Sequence, residues 1–384
     1  MIKKLPLDDS FVCLNTDTGN LTIANPVGAR IHELYDQGQD ANAITQALIE
    51  EFEAPSAAQT LNDVVAFMDE LAKAPSRQFR PLQNHEPDTS YRPARPCKPV
   101  GTLNCYLPTA CVLIESESSE LLQLIAPFFQ LSASVVQHQR ELTLSVFREG
   151  DTYPLVFNGQ SVEVGSSVED TALLCIGAIN TVAASVEPHT FTLHAAAVSL
   201  DNRGVLFPAL GGSGKTTLSA YLLKNGYQLI NDDSVHMAGC EGPETTAQIF
   251  PIPSPISIKS GSWKVLASYF PELSEYTPYS LGDRQLKLVP VVDEDILKTP
   301  VPCSLIVSPR YVAGAPCSLQ PISATETLQI LINSGCYLER PVKIEALAVF
   351  VEWLQSCRRY RLEYSSLADA AAEIRQLFEA ERPK

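Results

Sequence analysis

The sequence predicts an α/β domain built around a glycine-rich strand-to-helix loop, preceded by a small α+β unit, and three observations predict it. Near the amino terminus, strand signals around a turn are followed by three amphipathic helix patterns. Between residues 74 and 99 the composition shifts to six prolines, five basic residues and two acidic ones. From Leu193 to Ser234 the chain reads strand, turn, strand, glycine-rich loop, helix, strand and acidic pair with no spacer.

In the first unit, residues 1–75, Phe11-Val12-Cys13-Leu14 and Leu21-Thr22-Ile23 flank Asp17-Thr18-Gly19-Asn20, a hairpin-turn composition. A first helix opens at Asn25-Pro26, a capping residue followed by proline at the first helical position, and places Val27, Ile31 and Leu34 on one face. A second starts at Asp40 with Ile44, Leu48 and Phe52 at period four, and a third at Ser56 carries Leu61, Val64, Val65, Met68 and Leu71. Strands with three short helices suggest a small winged-helix unit. Such units often bind DNA, but four basic side chains (Lys3, Lys4, Arg30, Lys73) against twelve acidic ones repel a phosphate backbone. An exposed hairpin edge, with its unpaired N–H and C=O groups, suits an extended peptide instead. Residues 76–99 then read as a proline-rich, basic linker.

Residues 100–384 form the third part. Ala110–Ile114, Leu142–Val146 and Tyr153–Phe157 are strand-like, with helix-like runs at Ser119–Phe129 and Val168–Ala183, and this stretch reads as scaffold. Gly204–Pro208 is an apolar strand leading into Ala209-Leu210-Gly211-Gly212-Ser213-Gly214-Lys215-Thr216-Thr217 and a helix through Leu218, Leu222 and Leu223. The loop is one residue from the phosphate-loop pattern G-x-x-x-x-G-K-[ST], with Ala209 in place of the first glycine. Glycines let successive N–H groups wrap a phosphate, Lys215 reaches the outer phosphoryl oxygens, and the Thr216 hydroxyl holds Mg²⁺. Gly211, Gly212, Ser213, Gly214, Lys215, Thr216 and Thr217 are therefore the expected nucleotide contacts. The alanine is tolerable if its φ stays negative.

Gly226 caps that helix, Tyr227–Ile230 is the next strand, and Asn231-Asp232-Asp233 follows. A right-handed β-α-β crossover points both strands the same way, so Asp232 and Asp233 face the phosphates. One carboxylate would serve the metal, with Thr216, and one the attacking hydroxyl. Further on, Lys259 after a proline-rich strand, Arg284 and Lys287 in a polar stretch (276–287) read as a mobile substrate loop, and Arg310 at the end of a core strand (305–311) are candidate cations near the site. Helices over 324–335, 342–358 and 367–381 and a strand at 360–364 complete the chain.

Composition is that of a globular protein, 45% hydrophobic and 19% charged, and 384 residues suggest two or three domains. No apolar run approaches a membrane span, and the amino terminus turns acidic instead of entering a signal core, so the expected location is cytoplasmic with no membrane partner. Ten scattered cysteines contain no C-x-x-C pair and read as free thiols in a reducing compartment. The net charge of −16 argues against a nucleic-acid partner.

The LHAAAV, phosphate-loop and YQLINDD stretches resemble the HPr kinase/phosphorylase family, in particular its HPr-kinase-related branch, from about Val100 onward. The resemblance implies a P-loop kinase fold akin to phosphoenolpyruvate carboxykinase, use of ATP with Mg²⁺, and phosphorylation of a protein serine. It also makes His194 a catalytic candidate beside Lys215, Asp232 and Asp233. Residues 1–75 resemble the PqqD family across LNTDTGNLTIANPVGARIHELYDQG, ITQALIEEF and VVAFMDELAKA, which implies recognition of the leader of a peptide destined for modification. Together they suggest a Ser/Thr kinase acting on a peptide or small protein recruited by the first unit. A metabolite kinase, a non-catalytic nucleotide-binding regulator, and phosphorolysis of the product remain alternatives, and a homo-oligomer is compatible with all of them.

Overall fold

The computed structural model describes residues 2–16, 20–52, 56–72, 93–107, 110–129, 141–186, 191–238, 247–252, 254–281, 284–338 and 344–380. The expected hairpin turn at 17–19, most of the linker (73–92) and Gly282 lie outside them.

The first unit holds β1 (Ile2–Leu7), β2 (Ser10–Asn15) and β3 (Asn20–Ala24), then α1 (Pro26–Asp36), α2 (Ala41–Glu51) and α3 (Ala57–Ala72). The expected two strands are three, because Ile2–Leu7 pairs along its whole length with β2, Leu7 opposite Ser10. Its sequence, IKKLPL, hides the signal behind two lysines and a proline. The helices start where their caps predict: the Asn25 side chain accepts from the Gly28 N–H (2.8 Å), Asp40 from Ala43 (2.9 Å) and Ser56 from Gln59 (3.2 Å).

Strand alternation gives this small sheet two buried faces. Cys13 and Ala24 meet Ala29 and Phe67 of the unit's own helices. Leu7, Val12, Leu14 and Leu21 instead join a core shared with Leu328, Phe350 and Leu354, more than 300 residues away in sequence. Polar contacts reinforce the seam: Asp8 accepts from the Thr325 N–H (2.7 Å), the Leu7 carbonyl from the Thr325 hydroxyl (3.1 Å), and the Pro6 carbonyl from Gln355 (3.3 Å). The unit is seated on the rest of the chain.

A second sheet runs β4 (Gly101–Tyr106), β5 (Cys111–Ser116), β6 (Glu141–Val146), β7 (Tyr153–Phe157) and β8 (Gln160–Gly165), packed on α4 (Ser119–Ile125) and α5 (Val168–Val186). Although α5 is long and apolar, no helix among the described residues is long and apolar enough to cross a membrane.

The largest sheet has nine strands. In chain order come β9 (Phe191–Leu200), β10 (Arg203–Pro208), α6 (Lys215–Leu223), β11 (Gln228–Asn231), β12 (Ser234–Ala238) and β13 (Gln248–Phe250). Then come β14 (Ile256–Lys259), α7 (Ser260–Leu266), β15 (Pro278–Leu281) and β16 (Arg284–Val289), whose three strands make a separate small sheet. The chain ends with β17 (Val301–Tyr311), β18 (Ser318–Pro321), α8 (Ala324–Ser334), β19 (Cys336–Leu338), α9 (Ile344–Ser356), β20 (Arg358–Tyr364) and α10 (Leu367–Glu379).

Two long strands organise this sheet. The second half of β9 pairs β10 on one side and β11 on the other, both antiparallel, so β10 and β11 run the same way as expected, with β9 between them. Its first half pairs β12 and β19. Strand β17 pairs β13, then β10, then β20, the last two parallel. The edge order β9, β10, β17, β20 sets what flanks the loop that leaves β10.

The stretch 276–287, expected as a mobile loop, is instead the β15–β16 hairpin, with Leu281 paired to Arg284. Leu286 and Leu288 are buried at alternate positions, a period-two signal that the polar neighbours obscured. Lys287 is spent on structure, donating to the Leu273 carbonyl (2.6 Å) and lying over the Trp263 ring. It is no phosphate contact.

Candidate active site

Strand register alone brings the candidate groups together. Pro208, the last residue of β10, pairs Ala195, and the glycine-rich loop begins one residue later. The next residue of β9, His194, pairs Ser234, the first residue of β12. The root of the loop, His194 and the acidic pair therefore meet where β9 changes partners, a strand-end crevice of the kind in which open α/β sheets bind ligands.

Ala209 keeps its φ out of the left-handed region, so its methyl costs the loop nothing there. Gly212 and Gly214 are the positions that need glycine, at φ +85° and +95°. Gly214 caps α6 without a side-chain bond, which leaves the first-turn N–H groups without an intrahelical carbonyl, an arrangement suited to an anion. A Cβ on Gly214 would lie 2.5 Å from the Tyr364 hydroxyl. Gly214→Ala is thus expected to weaken nucleotide binding at least about tenfold and to destabilise the fold by ~1–2 kcal/mol from the backbone alone. Titration calorimetry and thermal denaturation of the variant check both.

Lys215 is buried and its ammonium donates to the Ala209 carbonyl at the loop's root. Burial draws its pKa down, with Asp233 and Asp232 opposing. The acidic pair is held open by an Asx turn: the Asn231 side chain accepts from the N–H groups of Asp233 (2.8 Å) and Ser234 (2.7 Å), so the two carboxylates diverge. Asp232 turns inward, 6% exposed, and takes the Ser257 N–H at 3.4 Å. Burial raises its pKa to about 7, Asp233 adding to the shift while Thr216, Ser257 and Lys215 oppose it. Its Oδ1 is buried without a hydrogen-bond partner. That orphaned oxygen, on a carboxyl whose pKa the Thr216 hydroxyl helps to hold down, belongs to a donor pair suited to a hard divalent cation.

Asp233 turns outward, 72% exposed, and its Oδ1 lies 3.2 Å from His194 Nδ1. Burial lowers the His194 pKa, with Asp233 opposing. The contact with Asp233 orients the ring through Nδ1, and in the neutral form with its proton there Nε2 carries the lone pair. The Thr217 hydroxyl meets Ser262 at 2.6 Å and ties α6 to α7.

A cavity of about 410 Å³ opens here, within the range of small-ligand sites. It gathers every candidate named from the glycine-rich loop, together with His194, Asp232, Asp233 and Lys259. Arg284, Lys287 and Arg310 do not line it; Arg310 faces Glu363 at 3.8 Å. Residues that sequence reading missed are Ser262 and Val265 of α7, Tyr311 at the end of β17, Tyr364 at the end of β20, and Ser365 and Leu367 beyond it. No local pattern marks them, since only the strand order brings them to the loop. Among the described residues no group of three or more His, Cys, Asp and Glu side chains is placed to hold a metal, so a cation here would rest on the Asp232 carboxyl and the Thr216 hydroxyl with ligands from the nucleotide, and Cys13, Cys97, Cys105, Cys111, Cys175 and Cys317 are free thiols.

Residues 10–74 match the family model of PqqD, coenzyme PQQ synthesis protein D. The amino-terminal unit contains a PqqD domain. No curated protein matches the chain. Among solved structures, TbiB1 in complex with the TbiA(beta) leader peptide is 27% identical, covering 18% of this chain and 81% of its own, at a TM-score of 0.16. The HPr(Ser) kinase/phosphatase from Coxiella burnetii is 14% identical, covering 50% of this chain and 99% of its own, at a TM-score of 0.24. Both scores lie below the level at which a shared overall fold follows.

Proposed function

We propose that this chain is an ATP-dependent kinase that transfers the γ-phosphoryl group to a serine or threonine hydroxyl of a peptide or small protein captured by its PqqD domain. On this reading the chain divides into a peptide-binding winged-helix unit (1–75), a linker (76–99) and a P-loop catalytic domain of the HPr kinase type (100–384), acting in the cytoplasm. The observation that carries it is the cavity in which a phosphate loop with a buried lysine faces two carboxylates of opposite exposure.

The geometry divides the work between those carboxylates. Asp232 and the Thr216 hydroxyl would hold Mg²⁺, which neutralises charge on the phosphates when bound. Lys215 leaves the Ala209 carbonyl for the outer phosphoryl oxygens, and the loop N–H groups fix the chain of phosphates. Asp233, accessible and oriented by His194 Nδ1, accepts the proton of the attacking hydroxyl. The hydroxyl oxygen bonds to the γ-phosphorus as the bond to the bridging oxygen of ADP breaks. Most of the acceleration comes from position and charge. The departure from the glycine pattern at Ala209 does not by itself favour the non-catalytic alternative, since its φ lies outside the left-handed region.

Peptide capture is supported by the PqqD match and by a sheet whose outer strands each pair only β2 among the described residues. The test is steady-state transfer from ATP with short peptides encoded beside the gene, read by intact mass. A peptide with its leader is expected to gain one phosphoryl group, and removing the leader to raise KM at least about tenfold while kcat at saturation changes little. Equal KM values would remove the capture role, and no transfer to any peptide would remove the kinase reading.

A further inference from the structure

The cavity has two poles. Its imidazole, ammonium and carboxyl side chains are His194, Lys215, Asp232, Asp233 and Lys259, carried by β9, the start of α6, the turn after β11, and β14. On the other flank of the loop, β17 and β20 end in Tyr311 and Tyr364, followed by Ser365 and Leu367, and this flank adds no ionised group to the lining. Because the sheet runs β9, β10, β17, β20, the phosphate loop leaving β10 lies between the charged pole and the aromatic one.

The aromatic flank is tied to the loop itself. The Tyr311 N–H donates to the Ser213 carbonyl (3.0 Å), and the Tyr364 hydroxyl donates to the Gly214 carbonyl (3.3 Å). The two rings meet edge to face, centroids 5.9 Å apart and planes at 74°. Tyr364 is buried, whereas Tyr311 is 53% exposed. Leu210 and Val265, also large apolar side chains open to solvent, line the same cavity. Exposed apolar surface gathered at one spot marks a contact for a ligand. A ligand that is polyanionic at one end and flat and apolar at the other fits both poles.

We infer that Tyr311 is the wall of a base subsite, on which the purine ring of the nucleoside triphosphate stacks while its γ-phosphate points across the loop toward His194 and Asp233. The inference rests on the nucleotide reading of the cavity and adds the direction in which the nucleotide lies. A ring pinned by a buried neighbour binds a base without being ordered first, and stacking of this kind tolerates different bases.

Calorimetric titration of the full-length protein with Mg²⁺ and either ATP or inorganic tripolyphosphate separates the poles. Tyr311→Ala is expected to weaken ATP ~5- to 100-fold, as loss of a base-stacking aromatic does, while tripolyphosphate binding stays within about twofold of the parent. Tyr311→Phe, which keeps the ring, should bind both ligands like the parent. Unchanged ATP affinity in Tyr311→Ala, or equal losses for ATP and tripolyphosphate, would overturn the subsite with the nucleotide reading intact. If the parent binds neither ligand, the nucleotide reading itself fails, and the subsite with it. The side chain is half exposed, so the fold tolerates the change, and circular dichroism of each variant verifies that.

Discussion

Asp232→Asn is expected to make the metal-free protein more stable at pH 8 while lowering kcat for phosphoryl transfer about 10²- to 10³-fold. The carboxyl is 6% exposed and its pKa is raised to about 7. A raised pKa means that the fold prefers the protonated form, so its stabilising contribution is complete below the unfolded value near 4 and is lost as pH rises through 7. At pH 8 the ionised parent bears a cost of up to ~4 kcal/mol that the neutral asparagine avoids, less ~1–3 kcal/mol if the new amide nitrogen finds no acceptor. The net gain of roughly 1–3 kcal/mol amounts to a few degrees in Tm and disappears toward pH 5. Added Mg²⁺ and ATP should stabilise the parent more than the variant. Thermal scans at pH 5 and pH 8, with and without ligand, measure all of this. A variant less stable than the parent at pH 8 would show that Asp232 is a structural hydrogen-bond acceptor and not a strained metal ligand.

Deleting residues 1–75 is expected to cost far more than a binding module should. Leu7, Val12, Leu14 and Leu21 leave a core whose other side, around Leu328, Phe350 and Leu354, would then face water. At ~1.5–3 kcal/mol for each fully buried side chain, four such losses uncover on the order of 6–12 kcal/mol, comparable to the stability of a whole domain. The truncated protein should aggregate or melt many degrees lower, and Leu14→Ala alone should cost ~2–5 kcal/mol in denaturant unfolding. A soluble, monomeric fragment beginning near Pro99 with unchanged Tm would show the seam to be weak. Peptide capture is for this reason better tested by changing the acceptor than by shortening the enzyme.

What was legible in the sequence was whatever is written locally. Asn25, Asp40 and Ser56 each begin a helix because a cap needs only its own next three residues. The glycine-rich loop and the Asn231 turn are local in the same sense. The pairing of His194 with Asp233 was reachable only through the family resemblance, since it depends on the register of β9 against β12. Tyr311 and Tyr364 carry no sequence signal because their place beside Gly214 is set by β17 and β20, about 90 to 150 residues downstream. Ile2–Leu7 was lost for the opposite reason: its lysines and proline read as a tail, although β2 supplies a partner for every residue.

Helix α8 makes the seat of the amino-terminal sheet into a measuring rod. Asp8 of the β1–β2 turn grips the first turn of α8, and the residue that ends the helix, Gly335, accepts the backbone N–H of His194 at 2.8 Å. Eleven helical residues at about 1.5 Å each set roughly 16 Å between the sheet's anchor and His194 of β9. On the proposed reading, a peptide seated near that anchor would cross about this span, and an extended chain advances no more than about 3.3–3.6 Å per residue. On the proposed reading, the spacing between leader and target, and not only the identity of the target, would select which hydroxyl comes to Asp233, with about five residues as the shortest useful spacing.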